Sequence, residues 1–289
     1  MTGAGAMARA VLGSMVRGSG RGPALAVLLG LASAGAAVDA RAQALNMGAG
    51  GGNTPIEIFA DNGIEWQQDN LVFLAKGNAK AVRGEVTVLA DQLTAFYTER
   101  KDGTTEIYRL DADGTVRIKS PSQVASGDKA VYDVTREILV LSGNRPNLVT
   151  PDTRITADQQ LEYWEQRQMA VARGKAEAEK DKRRVRADVL AAFFRKTKTG
   201  ENKVYRVDAY DNVSVLTERD RAYGDRGVYN VETGIVTLTG SVRIERGKNE
   251  LQGCKAEVNL NTGISRLFSC PGGRTKGTLV PGAKEGTGK

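Results

Sequence analysis

Leu71-Val72-Phe73-Leu74-Ala75-Lys76-Gly77-Asn78-Ala79-Lys80-Ala81 is the stretch that decides the fold. An apolar run stops at a glycine, and beyond it small apolar residues alternate with polar ones. The phrase returns as Leu141-Ser142-Gly143-Asn144 and Leu238-Thr239-Gly240-Ser241-Val242, with Gly114 and Gly174 in the same role and Asp211 in the corresponding place of another copy. Two and four residues past the marker stand Ala79/Ala81, Val116/Ile118, Ala176/Ala178, Val213/Val215 and Val242/Ile244. Strict alternation is the pattern of a strand with one apolar and one wet face, whereas a helix needs its apolar residues 3.6 apart. The body shows the first pattern only.

A second marker, a small residue followed by aspartate, sets the larger period. It occurs as Ala60-Asp61, Ala90-Asp91, Gly127-Asp128, Ala157-Asp158, Ala187-Asp188 and Gly224-Asp225, with a decayed seventh copy at Cys254-Lys255. The spacings run 30, 37, 30, 30, 37 and 30 residues, which is one 97-residue unit present twice with a terminal hairpin added. Tyr108-Arg109 and Asp111 return as Tyr205-Arg206 and Asp208 at the same offset. The extra length of each 37-residue unit falls at Glu99–Thr104 and Lys196–Glu201, which read as longer hairpin turns. Each unit is expected to hold about two strands separated by turns. One unit cannot bury its own apolar face, but a stack of them can.

Composition narrows the function. The chain has no histidine and two cysteines, which removes the commonest general base and any cysteine-rich zinc site. No metal or cofactor is expected, and no catalytic residue. The net charge is +7, but residues 1–44 and 271–289 carry +3 each, leaving +1 for the body. A broad nucleic-acid face is therefore not expected. Arg9, Arg17 and Arg21 precede the apolar run from Ala24 to Ala32, and Ala42-Gln43-Ala44 comes after it. This is the layout of a signal peptide, with cleavage expected after Ala44 or, alternatively, Ala40. The organisation expected is residues 1–44 as signal peptide, 45–55 as a flexible lead-in, 56–270 as the repeat domain and 271–289 as a disordered basic tail. The mature protein is expected in the periplasm, an oxidising compartment.

The residues from Ala60-Asp61 to Trp66, then Leu71–Ala79, then Ala90-Asp91-Gln92-Leu93, resemble the LptA/OstA family of periplasmic lipopolysaccharide-transport modules. The resemblance spans residues 56–270. It implies an all-β, elongated OstA-like β-jellyroll, an open, taco-shaped repeat of β-hairpin units. It also implies modules stacked end to end between the inner and outer membranes, with lipid A acyl chains moving along an apolar groove. The implied partners are lipopolysaccharide, through its lipid A moiety, and other lipopolysaccharide-transport components at both membranes, joined by edge-strand pairing, with a homo-oligomer as a further form. The body is long for one such module, and the tail is basic and Gly-rich.

Counting from each aspartate nominates the groove lining: Ile64, Trp66, Val72, Leu74, Leu139, Leu141, Leu161, Tyr163, Met169, Val171, Phe193, Val236, Leu238, Val242 and Ile244. The bland alternative is that these side chains only pack against one another, as in a structural or adhesive extracytoplasmic β-solenoid with a closed core. A carbohydrate-acting β-helix ranks last, because the aspartates belong to the repeat and not to one site. Their expected role is to bond a neighbouring backbone. The basic run Lys180–Arg186, with Arg195, Lys196 and Lys198 beyond it, reads as a solvated turn or as a rim that meets lipid phosphates. Cys254 and Cys270 lie equally far from Thr262, at the centre of the turn Asn261-Thr262-Gly263, so a disulfide across that hairpin is expected.

Overall fold

The computed structural model of the chain describes residues 56–198, 202–218, 220–262 and 264–280. The expected signal peptide and lead-in, and residues 281–289 of the expected tail, lie outside the described residues. No helix among the described residues is long and apolar enough to cross a membrane. The described chain is all-β. It opens with β1 (Glu57–Phe59) and β2 (Ile64–Gln67), then the long strands β3 (Val72–Arg83), β4 (Val86–Glu99), β5 (Thr105–Ser120) and β6 (Gln123–Asp133). Four short strands occupy the middle: β7 (Ile138–Ser142), β8 (Asn147–Val149), β9 (Thr153–Thr156) and β10 (Gln160–Trp164). Long strands resume as β11 (Met169–Lys180), β12 (Arg183–Lys196), β13 (Asn202–Leu216), β14 (Asp220–Asn230), β15 (Ile235–Arg246) and β16 (Asn249–Asn259). The sheet closes on β17 (Ile264–Phe268) and β18 (Lys276–Thr278).

Every pairing is antiparallel, and every long strand is broken at the same level. β3 pairs β4 from Val72↔Phe96 to Lys76↔Gln92 and again from Ala79↔Ala90 to Arg83↔Val86. Between the two blocks, Gly77 and Asn78 are opposed by Asp91 alone. The shift recurs with Asp128 opposite Gly114-Thr115, Asp188 opposite Gly174-Lys175, and Asp225 opposite Asp211-Asn212. Two residues facing one is a β-bulge, which bends the strand that carries it. The row of bulges therefore folds the whole sheet along one crease into two walls. Strands β7 to β10 cross the same level as broken pieces: β7 and β10 lie in the first wall, β8 and β9 in the second.

The residues that make this crease share one conformation. Gly77 and Asn78 have φ of 75° and 43°, Gly114 and Thr115 77° and 44°, and Gly174 and Lys175 83° and 44°. Asp211 and Asn212 have φ of 58° and 52°. Two successive left-handed residues are costly for side-chain-bearing positions, and asparagine and aspartate tolerate them best. The repeat aspartates hold the corner from across the ladder. Asp128 Oδ2 accepts from the backbone N–H of Asn144 at 2.6 Å, and Asp225 Oδ2 from that of Ser241 at 3.1 Å. Asp61 and Asp188 accept from the side-chain amides of Asn78 and Asn212, at 2.7 and 2.8 Å.

The glycines therefore do not separate two strands, contrary to the sequence-based expectation. Glycine and aspartate sit inside long strands, and the turns lie out at the two rims. The Glu99–Thr105 turn is a rim turn, tied by Arg100 N–H to Thr104 O at 2.9 Å. The tail also departs from expectation: residues 276–278 form β18, paired to β16.

Core residues come from both walls. One cluster joins Ala112, Tyr132, Leu139 and Leu141 of the first wall to Val88, Ile118 and Ala125 of the second. The other joins Ala172, Leu190, Ala209 and Leu238 to Ala176, Ala187, Val213 and Val242. In the rows beside the crease alanines stand among larger residues, Leu141, Leu190 and Leu238 on the first wall and Val116, Val213 and Val242 on the second, so that small and large side chains of the converging walls interdigitate.

At Gly240 (φ 97°) a substituted Cβ would stand 2.5 Å from Asp225 Cβ, so no side-chain rotation relieves the clash. Gly84 has φ 57° with open space around it. Gly240→Ala is expected to lose about 2–4 kcal/mol in urea denaturation, and Gly84→Ala about 1 kcal/mol. Equal losses would remove the corner's special status.

Candidate functional site

The ladder register assigns every strand residue to a face. One inward row runs Ile64–Ala75–Leu93–Ala112–Ala130–Leu141–Leu161–Ala172–Leu190–Ala209–Gly227–Leu238–Ala256–Leu267. A second, nearer the rim, includes Trp66, Phe73, Leu110, Tyr132, Leu139, Tyr163, Val207, Tyr229, Val236 and Val258. Facing them from the second wall are Ala81, Val88, Ile118, Ala125, Leu148, Ile155, Ala178, Val185, Val215, Ala222, Ile244 and Leu251. The result is a lane of apolar side chains between the walls, crossing every strand from one end of the sheet to the other.

Of the residues nominated from sequence, Leu139, Leu141, Leu161, Tyr163, Val236 and Leu238 sit in the first wall's inward rows, and Val242 and Ile244 in the second wall's. Ile64 and Trp66 share the inward parity at the first end of the lane, but are 51% and 56% exposed. Val72, Leu74, Met169, Val171 and Phe193 lie on the opposite face, which corrects their assignment to the groove. The cause is one residue of spacing. Gly143 and Gly240 come 15 residues after their aspartates, Gly77 and Gly174 16. A count from the aspartate therefore lands on opposite faces in the two cases, because a one-residue slip reverses a strand's faces. Counted back from the corner, the inward pairs are Phe73/Ala75 and Ala170/Ala172. Phe193 stands opposite Arg206 on the outer face, and Phe194, which continues the inward alternation of Leu190 and Ala192, packs against the core.

The outer face of the first wall carries charge pairs that sequence reading did not identify. Arg109 donates to both oxygens of Asp111 at 2.6 and 2.7 Å and lies over the Phe96 ring, 5.4 Å from its centroid. Arg206, Asp208 and Phe193 repeat the arrangement one long period later. Both arginines are held more firmly protonated than usual by the hydrogen bond to their aspartate. The 97-residue match of these residues was the available signal. The basic run is also neutralised in pairs: Lys180 meets Asp152 at 2.6 Å, Lys182 meets Glu218 at 2.5 Å, and Arg186 meets Glu177 at 2.6 Å, while Arg184 lies between Glu177 and Glu179. Arg195 pairs with Glu232. Only residues 181 and 182 of the basic run form a turn; Lys180 ends β11 and residues 183–186 begin β12, so the run is a charged stretch of strand and not the solvated turn expected from sequence.

Polar groups enter the lane midway. Tyr132 and Tyr163 are buried, with Glu165 near them. Burial first, and the charge of Glu165 second, push both phenols well above the usual tyrosine range, so they stay neutral hydrogen-bonding groups. Among the described residues no cluster of His, Cys, Asp and Glu is arranged to hold a metal ion. Cys254 and Cys270 are joined by a disulfide, with Cα atoms 5.0 Å apart.

Residues 57–148 and 154–264 match the family model described as "LptA/(LptD N-terminal domain) LPS transport protein". An uncharacterized protein of Rhizobium meliloti (strain 1021) is 27% identical over 124 residues, 42% of this chain and 64% of that protein, so the chain spans under two thirds of that relative's length. A solved structure similar to part of the chain is LptH, described as the LptA homologous periplasmic component of the lipopolysaccharide transport device from Pseudomonas aeruginosa. It shares 13% identity, with a TM-score of 0.21, over 79% of this chain and 96% of LptH.

Glu162 supplies a test of the outer face. Burial raises its carboxyl pKa, and hydrogen bonds from Arg173, Gln160 and Trp164 outweigh that, so it ionises below its ordinary value of 4.5. A depressed carboxyl contributes stability above its unfolded pKa and loses it as pH falls through the folded one. Glu162→Gln is expected to cost about 1–2 kcal/mol at pH 7, with the gap to the parent protein narrowing below about pH 4 in denaturation curves. A gap independent of pH would show that the ionised form contributes nothing.

Proposed function

Because the chain belongs to the family of LptA and LptD N-terminal-domain lipopolysaccharide transport proteins, we propose that it is a periplasmic, non-enzymatic bridge protein that carries lipopolysaccharide from the inner to the outer membrane, with the lipid A acyl chains held between its two walls. The observation that carries the reading is the continuity of the apolar lane across every strand. Burying acyl chain contributes roughly 0.8 kcal/mol per methylene, so a multi-chain lipid is held without any single decisive contact. The row beside the crease is largely packed, with alanine and leucine in nearly equal share, while Val207, Val236, Ile244 and Leu251 nearer the rims are only partly covered. An entering chain exchanges wall-to-wall contacts at the rims for chain-to-wall contacts of the same kind.

Partners join at the sheet ends. β16 runs from the second wall to the first and β3 from the first to the second, so once the short strands that cover them are displaced, β17 and β18 from β16 and β1 and β2 from β3, β16 of one copy and β3 of the next pair antiparallel. Their inward residues then oppose: Ala256 to Ala75, Val258 to Phe73 and Leu251 to Ala81. Cys254 falls opposite Gly77-Asn78, where the corner geometry requires a single residue. The same edges serve transport components at either membrane through strand addition.

The second reading, a structural solenoid with a dry core, is favoured by Ile118 and Tyr132, at 0% and 3% exposure, which pack together across the middle of the lane. Photo-crosslinking in cells separates the two. Adducts with lipopolysaccharide are expected from Phe73, Val236 and Ile244, and none from their outward neighbours Leu74, Thr237 and Arg243. Adducts at neither set favour the dry core; adducts at both sets overturn the lane.

A further inference from the structure

The last corner of the crease is covalent. Cys254 is the single residue passed over between Thr239↔Lys255 and Val242↔Gly253. It therefore holds in β16 the place that Asp91, Asp128, Asp188 and Asp225 hold in β4, β6, β12 and β14. Its partner Cys270 comes at a separation of 16 residues. That is where Gly77 and Gly174 stand relative to Asp61 and Asp158. A disulfide thus replaces the aspartate-held corner at this one position.

Beyond Cys270 the chain turns at once, with Gly273 N–H donating to Cys270 O at 2.9 Å. It returns as β18 along the second-wall half of β16, from Gln252↔Lys276 to Glu250↔Thr278. β17 covers the first-wall half, from Lys255↔Phe268 to Asn259↔Ile264. The two pieces bury little of themselves: β18 is exposed throughout, and only Leu267 of β17 is partly covered. Short, exposed edge strands are the blunt ends that discourage edge-to-edge pairing. Beneath them lies β16, an 11-residue strand with the corner and inward parity of a full-length one. At the other end of the sheet β1 and β2 cover β3 with three and four residues and no covalent tie.

We propose that the Cys254–Cys270 disulfide is a thiol-sensitive lock on a self-cap: its reduction releases β17 and β18 and uncovers β16 as a full-length pairing edge for β3 of a second copy of this chain. The inference rests on the end-to-end reading above for its partner, and on the corner and cap alone for its lock. The step is thiol–disulfide exchange. One thiolate of an external dithiol attacks a cysteine sulfur, the Cys254–Cys270 bond breaks, and the second thiol closes the reductant's own disulfide. Two electrons and two protons pass to the cysteines, and the dithiol is oxidised. The bond sits at the junction of two exposed strands, so losing it removes the largest single restraint on the cap. For a closed loop of this length, the open population rises by about a hundredfold.

The test uses the purified protein with and without dithiothreitol, and Cys254→Ser/Cys270→Ser without reductant. Hydrogen exchange reports on β16, with β5 as internal reference, and sedimentation velocity reports on mass. The expected result is faster exchange across Asn249–Asn259, unchanged protection across Thr105–Ser120, and a shift to heavier species for both the reduced protein and the double variant. Unchanged β16 protection on reduction overturns the lock. Loss of protection in β5 as well overturns it too, since the bond is then a staple for the whole body. Exposed β16 amides without any gain in mass support the lock and overturn the end-to-end partner.

Discussion

The structure depends on one contact, a carboxylate set against the left-handed corner of the next strand. Without it, strands of 11 to 16 residues would run straight through one open sheet with one apolar face in water. The bulge inserts the bend and the aspartate holds it. Asp128 and Asp225 each accept from the backbone amide next to a left-handed glycine, that of Asn144 beside Gly143 and that of Ser241 beside Gly240, and an unsatisfied amide at a packed crease costs about 1–3 kcal/mol. The same corner on neighbouring strands turns a local kink into a fold line.

Once the fold line exists, the rows beside it are filled by small and large side chains in turn. Ala75, Ala112, Ala172, Ala209 and Ala256 share the first wall's row with Leu93, Leu141, Leu190 and Leu238, and Ala79, Ala90, Ala176 and Ala187 share the second wall's with Val116, Val213 and Val242. Facing small and large residues interdigitate without voids. Period-two alternation along each strand is thus accompanied by an alternation of size across the strands. On the transport reading, such a surface offers contact to chains of different length and number. The charged outer face, with Arg109 and Arg206 each clamped to an aspartate, keeps the sheet's other side wetted in its most regular places.

Much of this was legible in the sequence because the corner repeats. The aspartates recur at fixed spacings, with a glycine at most of the corners, and the 97-residue duplication is read from them. The long turn after Glu99 was visible for the same reason, while its counterpart at Lys196–Glu201 lies partly outside the described residues. Parity failed at Val72, Leu74, Met169 and Val171. The rim turns are alike, four residues each after Gln67, Asp133, Trp164 and Asn230, and the extra residue lies at the aspartate end: Asp61 and Asp158 stand ahead of the short strands β2 and β10, whereas Asp128 and Asp225 lie inside long ones. Phe193 failed because β12 runs unbroken past Asp188, so Leu190, Ala192 and Phe194 alternate inward and Phe193 outward. β18 was not legible because Lys276-Gly277-Thr278 has no strand-like composition; it pairs only because the disulfide corner delivers it to an edge.

A translationally repeated lane has a consequence for whatever moves along it. On the transport reading, each hairpin offers apolar side chains at the same level of both walls, so positions along the lane differ little in energy, and a lipid's affinity would be spread over many similar rows. Displacement by one strand exchanges one set of apolar contacts for another at nearly no cost, since the transfer term depends on area buried and not on which leucine or valine supplies it. The exception is the middle. There β7 to β10 break at the crease and Tyr132, Tyr163 and Glu165 bring polar atoms between the walls. On the same reading, chains passing this point would displace packed side chains of both walls and meet hydroxyl and carboxylate groups in place of methyls. A barrier placed there coincides with the seam of the internal duplication. Between the two ends of the sheet, that is where the strands break at the crease into separate pieces and the walls have the least continuous backbone holding them together.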